Sequence, residues 1–150
     1  MNAPDNIECF SLATRAILRR LLESFPRPIR LHSLELQQEL VKLAELPESC
    51  AWREGSGCLV ESTLEYLAAE GVIRFAEKSV PFGTDEQGSL CAVFIWQGVT
   101  LTAKGFSVLN RPFPESATSG NTIAKAIRGA GALVGKTSVT EAVRLLFQSL

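Results

Sequence analysis

The sequence predicts an α+β domain that is mostly α-helical: a three-helix core, a two-stranded β-hairpin, a short helix and a C-terminal helical hairpin. Three observations carry this. Apolar residues recur at helical spacing in FSLATRAILRRLLESF, SLELQQELVKLAEL and CLVESTLEYLAAE. Two β-branched and aromatic runs, VIRFA and LCAVFIWQGVTL, follow them. The stretch NRPFPESATSGN, rich in Pro, Ser, Asn and Gly, then separates two further helical patterns. A chain of 150 residues has room for one compact domain and a small appendage. The expected division is a domain over 1–110, a linker over 111–121 and a helical hairpin over 122–150.

In the first helix Phe10, Ala13, Ile17, Leu21 and Phe25 share a stripe, with Asn6 or Ser11 as caps. Pro26 and Pro28 stop it, because proline disfavours helix in the residue before it. The second helix begins near Ser33, sets Leu36, Leu40 and Leu43 on one stripe, and ends at Pro47. ESCAWREGSG reads as a turn region. The third helix buries Val60, Leu64 and Leu67, and Gly71 is placed to end it. Val72, Ile73, Phe75, Val93, Phe94 and Ile95 in the hairpin need a helical layer to cover them. Between the strands EKSVPFGTDEQGS reads as an exposed loop, and Thr102 as the cap of a short helix ending before Pro112.

Near the end, GAGALVGKTS (129–138) invites comparison with a phosphate-binding loop. That loop requires glycine five residues before the second glycine, and here the position holds Ala130. The preceding TIAKAIRGAGALV has a helical period, not that of a strand leading into such a loop. Instead, Ile123, Ile127, Ala130 and Val134 share one stripe, and Val139, Val143, Leu146 and Leu150 another. Gly135 is expected to end the first of these helices, and Ser138 with Glu141 to form a capping box for the second. Two such short helices are marginal alone in water, so the stripes need a surface. It is either the rest of the chain or the same hairpin of a second copy in a homodimer. An acidic partner or a membrane surface is a further alternative.

Winged helix-turn-helix proteins of bacterial type resemble this chain in two segments, STLEYLAAEGVIRF (62–75) and VTLTAKGFSVL (99–109). The resemblance spans about residues 7 to 110. It implies a three-helix core with a β-hairpin wing, and a third helix laid in the major groove of DNA. On that reading the contacts are Arg53, Ser62, Tyr66, Arg74 and Lys78, and the function is regulatory DNA binding. The residues of the third helix point elsewhere. Its outer face carries Cys58, Ser62, Glu65, Tyr66 and Ala69, with Glu61 at the margin and no Lys or Arg. DNA binding gains by neutralising phosphates with cations, and carboxylates oppose that. The alternative is a protein-interaction adaptor that uses this acidic face or the C-terminal stripe.

Fifteen basic and sixteen acidic residues leave a net charge of -1, which gives no overall support to nucleic-acid binding. Arg15, Arg19 and Arg20 read as a solvated face balanced by Glu8 and Glu23. Cys9, Cys50, Cys58 and Cys91 lack metal-site spacing and are expected as free thiols. The single histidine, His32, reads as a surface or capping residue. Trp52 and Trp96 are expected in a core or an interface. No arrangement of nucleophile, base and acid is visible, so a non-enzymatic protein without metal or cofactor is expected. The acidic N-terminus and the absence of a long apolar run suggest a cytoplasmic chain without stable membrane insertion.

Overall fold

The computed structural model describes residues 3–42, 58–84, 88, 90–111, 122–128 and 136–150. The first half contains α1 (Ala3–Ser24), β1 (Ile29–His32), α2 (Ser33–Lys42) and α3 (Cys58–Ala69). Strands β2 (Ile73–Arg74), β3 (Glu77–Ser79), β4 (Phe82–Thr84), β5 (Leu90–Ala92) and β6 (Ile95–Leu101) follow. The chain ends in α4 (Ala103–Leu109), α5 (Ile123–Arg128) and α6 (Lys136–Gln148). The class is α+β, with helices around a small antiparallel sheet.

At the centre lies α1, which packs against α2, α3, α5, α6 and β6. It is therefore buried on more sides than a single stripe allows: Leu12 and Leu18 are covered as completely as Ala13, Ile17 and Leu21. Even Ser11 and Thr14 are buried, and Thr14 satisfies its hydroxyl by donating to the Phe10 carbonyl at 2.9 Å. Cys9, also fully buried, is disulfide-bonded; the expectation of free thiols fails there. Phe25 lies one residue beyond the end of α1 and is exposed, so it leaves the predicted stripe.

The sheet is larger than a two-stranded hairpin. Strand β6 is its axis, paired with β1 on one side and with β2 and β3 on the other, all antiparallel. The sequence reading missed β1 because two prolines precede it, yet Leu31 is fully buried and pairs with Trp96. The predicted loop EKSVPFGTDEQGS contains β3 and β4, and β4 pairs with β5 as a separate ribbon. Trp96 is buried in the core, as expected, whereas Trp52 falls outside the described residues.

Local signals hold where they were specific. Gly71 ends α3 at φ +79, with its amide on the Ala68 carbonyl and that of Val72 on the Leu67 carbonyl. This is the paired bonding of a left-handed helix stop, which glycine adopts without a Cβ penalty. Thr102 caps α4, its hydroxyl accepting from the Gly105 amide at 2.9 Å. His32 caps α2, its Nδ1 accepting from the Glu35 amide at 3.3 Å. The predicted stops at Pro47 and Gly135 lie outside the described residues.

The predicted cap at Ser138 is not where the last helix starts. Helix α6 starts at Lys136, so Ser138 already lies within its first turn. Glu141 is bound instead by Arg144 one turn on, which holds its carboxyl below the usual range.

Candidate functional site

Helix α3 turns Val60, Leu64 and Leu67 into the core, each fully buried. A helix buried along one stripe leaves the opposite positions outward. Ser62, Tyr66 and Ala69 are exposed there, and Glu61 and Glu65 are partly exposed. Strand β3 runs alongside and supplies Lys78. Its ammonium donates to Glu65 at 2.8 Å and to Glu61 at 3.4 Å, and stands 5.2 Å from the centre of the Phe94 ring. The bond to Glu65 raises the Lys78 pKa above its ordinary value; burial opposes this, and the Glu65 charge with the bond and charge of Glu61 add to it. One cation is thus bound by two carboxylates spaced i, i+4, and the charge of the three groups together is negative.

Of the five residues predicted to contact DNA, the structure brings Ser62, Tyr66 and Lys78 to one face. Arg74 is exposed on β2 opposite Thr100, and Arg53 lies outside the described residues.

Tyr66 sits in an aromatic cluster. Its ring meets Phe10 of α1 edge-on at 5.6 Å and Phe147 of α6 edge-on at 5.2 Å, and Phe10 and Phe147 are 5.6 Å apart. Tyr66 thus meets both phenylalanines edge-to-face, as aromatic quadrupoles favour, while Phe10 and Phe147 are tilted by 34° to each other. Tyr66 remains 48% exposed, so its ring is positioned by the cluster without being covered by it.

Phe147 reaches the cluster because α6 packs on α1. Of the predicted interface residues, Ile123, Ile127, Val143 and Leu146 are buried in the same core as α1 and α3. Leu150 is partly buried against that core, and the side chains of Val134 and Val139 lie outside the described set. Within the described residues the two stripes pack on their own chain. A Thr122 cap on α5, accepting from Lys125 at 3.2 Å, completes the local structure.

Sequence reasoning missed three exposed aromatic side chains. Phe82 on the ribbon is 76% exposed, and Phe25 and Phe106 stack on each other at 4.5 Å. The signal for Phe82 was present: a phenylalanine amid the polar residues of a supposed loop.

Among the described residues no cluster of three or more His, Cys, Asp or Glu is placed to hold a metal ion, and no helix is long and apolar enough to cross a membrane. In comparison with known proteins, no family model matches the chain, and no curated protein or solved structure is significantly similar to it.

Proposed function

We propose that this chain is a non-enzymatic binding module of winged-helix type whose outer face on α3 engages a protein partner. The order α1, β1, α2, α3 followed by a β-ribbon and a return strand supports the winged-helix reading. The observation that carries the choice of partner is the Lys78 ammonium bound between Glu61 and Glu65. A DNA-reading face needs wing cations aimed at phosphates. Here the wing lysine is committed to neutralising its own helix, and the neighbouring face keeps a negative balance. Exposed Tyr66 beside that charge suits a protein interface, where tyrosine is enriched as a contact residue. The partner surface that complements it is basic with an apolar centre.

Pooled random DNA duplexes titrated at low salt separate this reading from regulatory DNA binding. The protein reading expects no salt-sensitive binding by the full chain. It also expects weak binding to appear in the Glu61→Gln, Glu65→Gln double variant, in which Lys78 is released. Salt-sensitive duplex binding by the unaltered chain, lost on Ser62→Glu or Tyr66→Ala, would establish the DNA reading instead.

A further inference from the structure

Strands β3 and β4 belong to different sheets but keep one register. Glu77 to Ser79 lie opposite Gln97 to Ile95, and Phe82 to Thr84 lie opposite Ala92 to Leu90. Between them Pro81 falls opposite Val93, and the Val93 amide donates to its carbonyl at 2.9 Å. Residues 77–84 and 90–97 are therefore the two sides of one antiparallel ribbon. Among the described residues no strand pairs with the outer side of β3 or β4.

The bond between Val93 and Pro81 fixes which main-chain groups face that open side. Opposed residues in an antiparallel pair alternate between hydrogen-bonded and non-hydrogen-bonded positions. Pro81 holds a hydrogen-bonded position, and two residues on so does Gly83. Val80, Phe82 and Thr84 then turn their N–H and C=O groups away from the ribbon. A proline blunts an edge strand when its missing N–H lies on the open side. Here the missing N–H lies on the paired side, so the edge keeps its donors at Val80, Phe82 and Thr84.

The side chains follow the same two-residue repeat. Lys78, Val80, Phe82 and Thr84 share one face of the strand. Val80 is 47% exposed and Phe82 76%, about 7 Å apart along the strand. Gly83, on the other face, lies close on buried Val93: an added Cβ would come within 2.8 Å of its side chain. The charge along the exposed face is uneven. Val80, Phe82 and Thr84 are uncharged, whereas Lys78 is bound by Glu61 and Glu65, and those three groups together are negative.

We propose that the outer edge of β3 and β4 binds an extended segment of a partner protein, which adds to it as an antiparallel strand. Outward donors and acceptors two residues apart are matched by the main chain of another strand; a helix uses its own main-chain groups internally. Two apolar residues of the segment, spaced by one, lie beside Phe82 and Val80. Two residues further toward its C-terminus the segment comes beside Lys78. The carboxylate excess there favours Arg or Lys. Parallel addition gives slightly weaker pairing and places the basic residue at the other end. The inference goes beyond the outer face of α3 and takes from it only the charge around Lys78.

The probe is the heptapeptide Thr-Thr-Val-Thr-Val-Thr-Arg, blocked at both ends and titrated into the isotope-labelled full chain. Binding is expected, with amide chemical shifts moving at Val80, Phe82 and Thr84. N-methylation of the peptide's third and fifth amides, which point into the edge, is expected to weaken binding at least about 10-fold. The same groups on the fourth and sixth amides, which point away, should change it less than about 2-fold. Val80→Pro removes one outward donor and spares the ribbon's own bonds, so it should also weaken binding, with circular dichroism checking its fold. Glutamate in place of the peptide's arginine should weaken binding at low salt. Absence of binding, equal weakening by the two methylation patterns, or equal binding of the glutamate peptide overturns the proposal. So does a chain that doubles its mass by itself and loses that on Val80→Pro, since a second copy then takes the edge. Salt-sensitive duplex binding by the unaltered chain would overturn the reading of α3 and leave the methylation result unmoved.

Discussion

Gly105 of α4 lies directly against the main chain of Val72, the residue after the glycine that stops α3. A Cβ at Gly105 would come within 2.9 Å of the Val72 carbonyl carbon and nearer still to its oxygen. Backbone atoms cannot rotate away as a side chain can. Gly105→Ala therefore forces α4 off the end of α3, an overpacking cost of about 1–3 kcal/mol or more. A melting temperature lower by roughly 3–10 °C is expected for a chain of this size. An unchanged melt would show that α4 can shift without loss.

Thr102 makes the same junction from the other side. Its amide and hydroxyl donate to the Val72 and Gly71 carbonyls, while its oxygen caps the Gly105 amide. Lys104 adds a bond to the Glu70 carbonyl at 3.2 Å. Thr102→Val keeps the shape and removes the hydroxyl, which takes the donor from the Gly71 carbonyl and the acceptor from the Gly105 amide. Loss of a cap of this kind costs about 1–2 kcal/mol. Denaturant titration should show that loss for Val and most of the stability retained for Ser.

That junction explains why so much of this region was legible in sequence. EGVIRF and LTAKG are the two segments whose backbones touch, so each of their fixed residues has a steric or hydrogen-bonding task that local rules describe. Strand β1 was not legible, because a strand of four residues beside two prolines has no periodicity to read; its partner β6 makes it a strand. The burial of α1 on several sides was hidden for a similar reason. Leu12, Leu18 and Thr14 look like the flanks of a stripe until α5 and α6 arrive from far along the chain. The outer face of α3 followed from the helical period alone, but the destination of Lys78 needed strand β3 in place.

His32 supplies a third helix start that can be tested. His32→Ala removes the acceptor for the Glu35 amide and should cost about 1 kcal/mol by denaturant titration. His32→Asn provides an oxygen of suitable reach and should recover most of it.

Lys78 gives a dependence on pH and salt. Its folded pKa is raised, so the stability it contributes is fully present below the ordinary value of 10.5 and is lost as pH climbs through the folded value. The bridged groups are partly solvated, which limits the contribution to about 0.2–1 kcal/mol. Lys78→Met should therefore be less stable than the unaltered chain at neutral pH and low salt. The gap should narrow at high salt, through screening, and in alkali above 10.5. A gap that persists under both conditions would assign the effect to packing of the lysine stem on Phe94.

The contact between Tyr66 and Phe147 reports whether the C-terminal helix is docked in solution. The two rings lie on α3 and α6, and nothing local in sequence brings them together. Each single alanine substitution removes other contacts too, since both rings also touch Phe10. A double-mutant cycle isolates the shared part. Coupling of about 0.5–1.5 kcal/mol is expected for an edge-on aromatic pair. The same cycle between Tyr66 and exposed Phe82 should give a value near zero, because that ring lies out on the ribbon. Zero coupling for Tyr66 and Phe147 would mean that α6 does not rest on this face. The outer side of α3 would then be larger than described, extending across Phe10 onto α1.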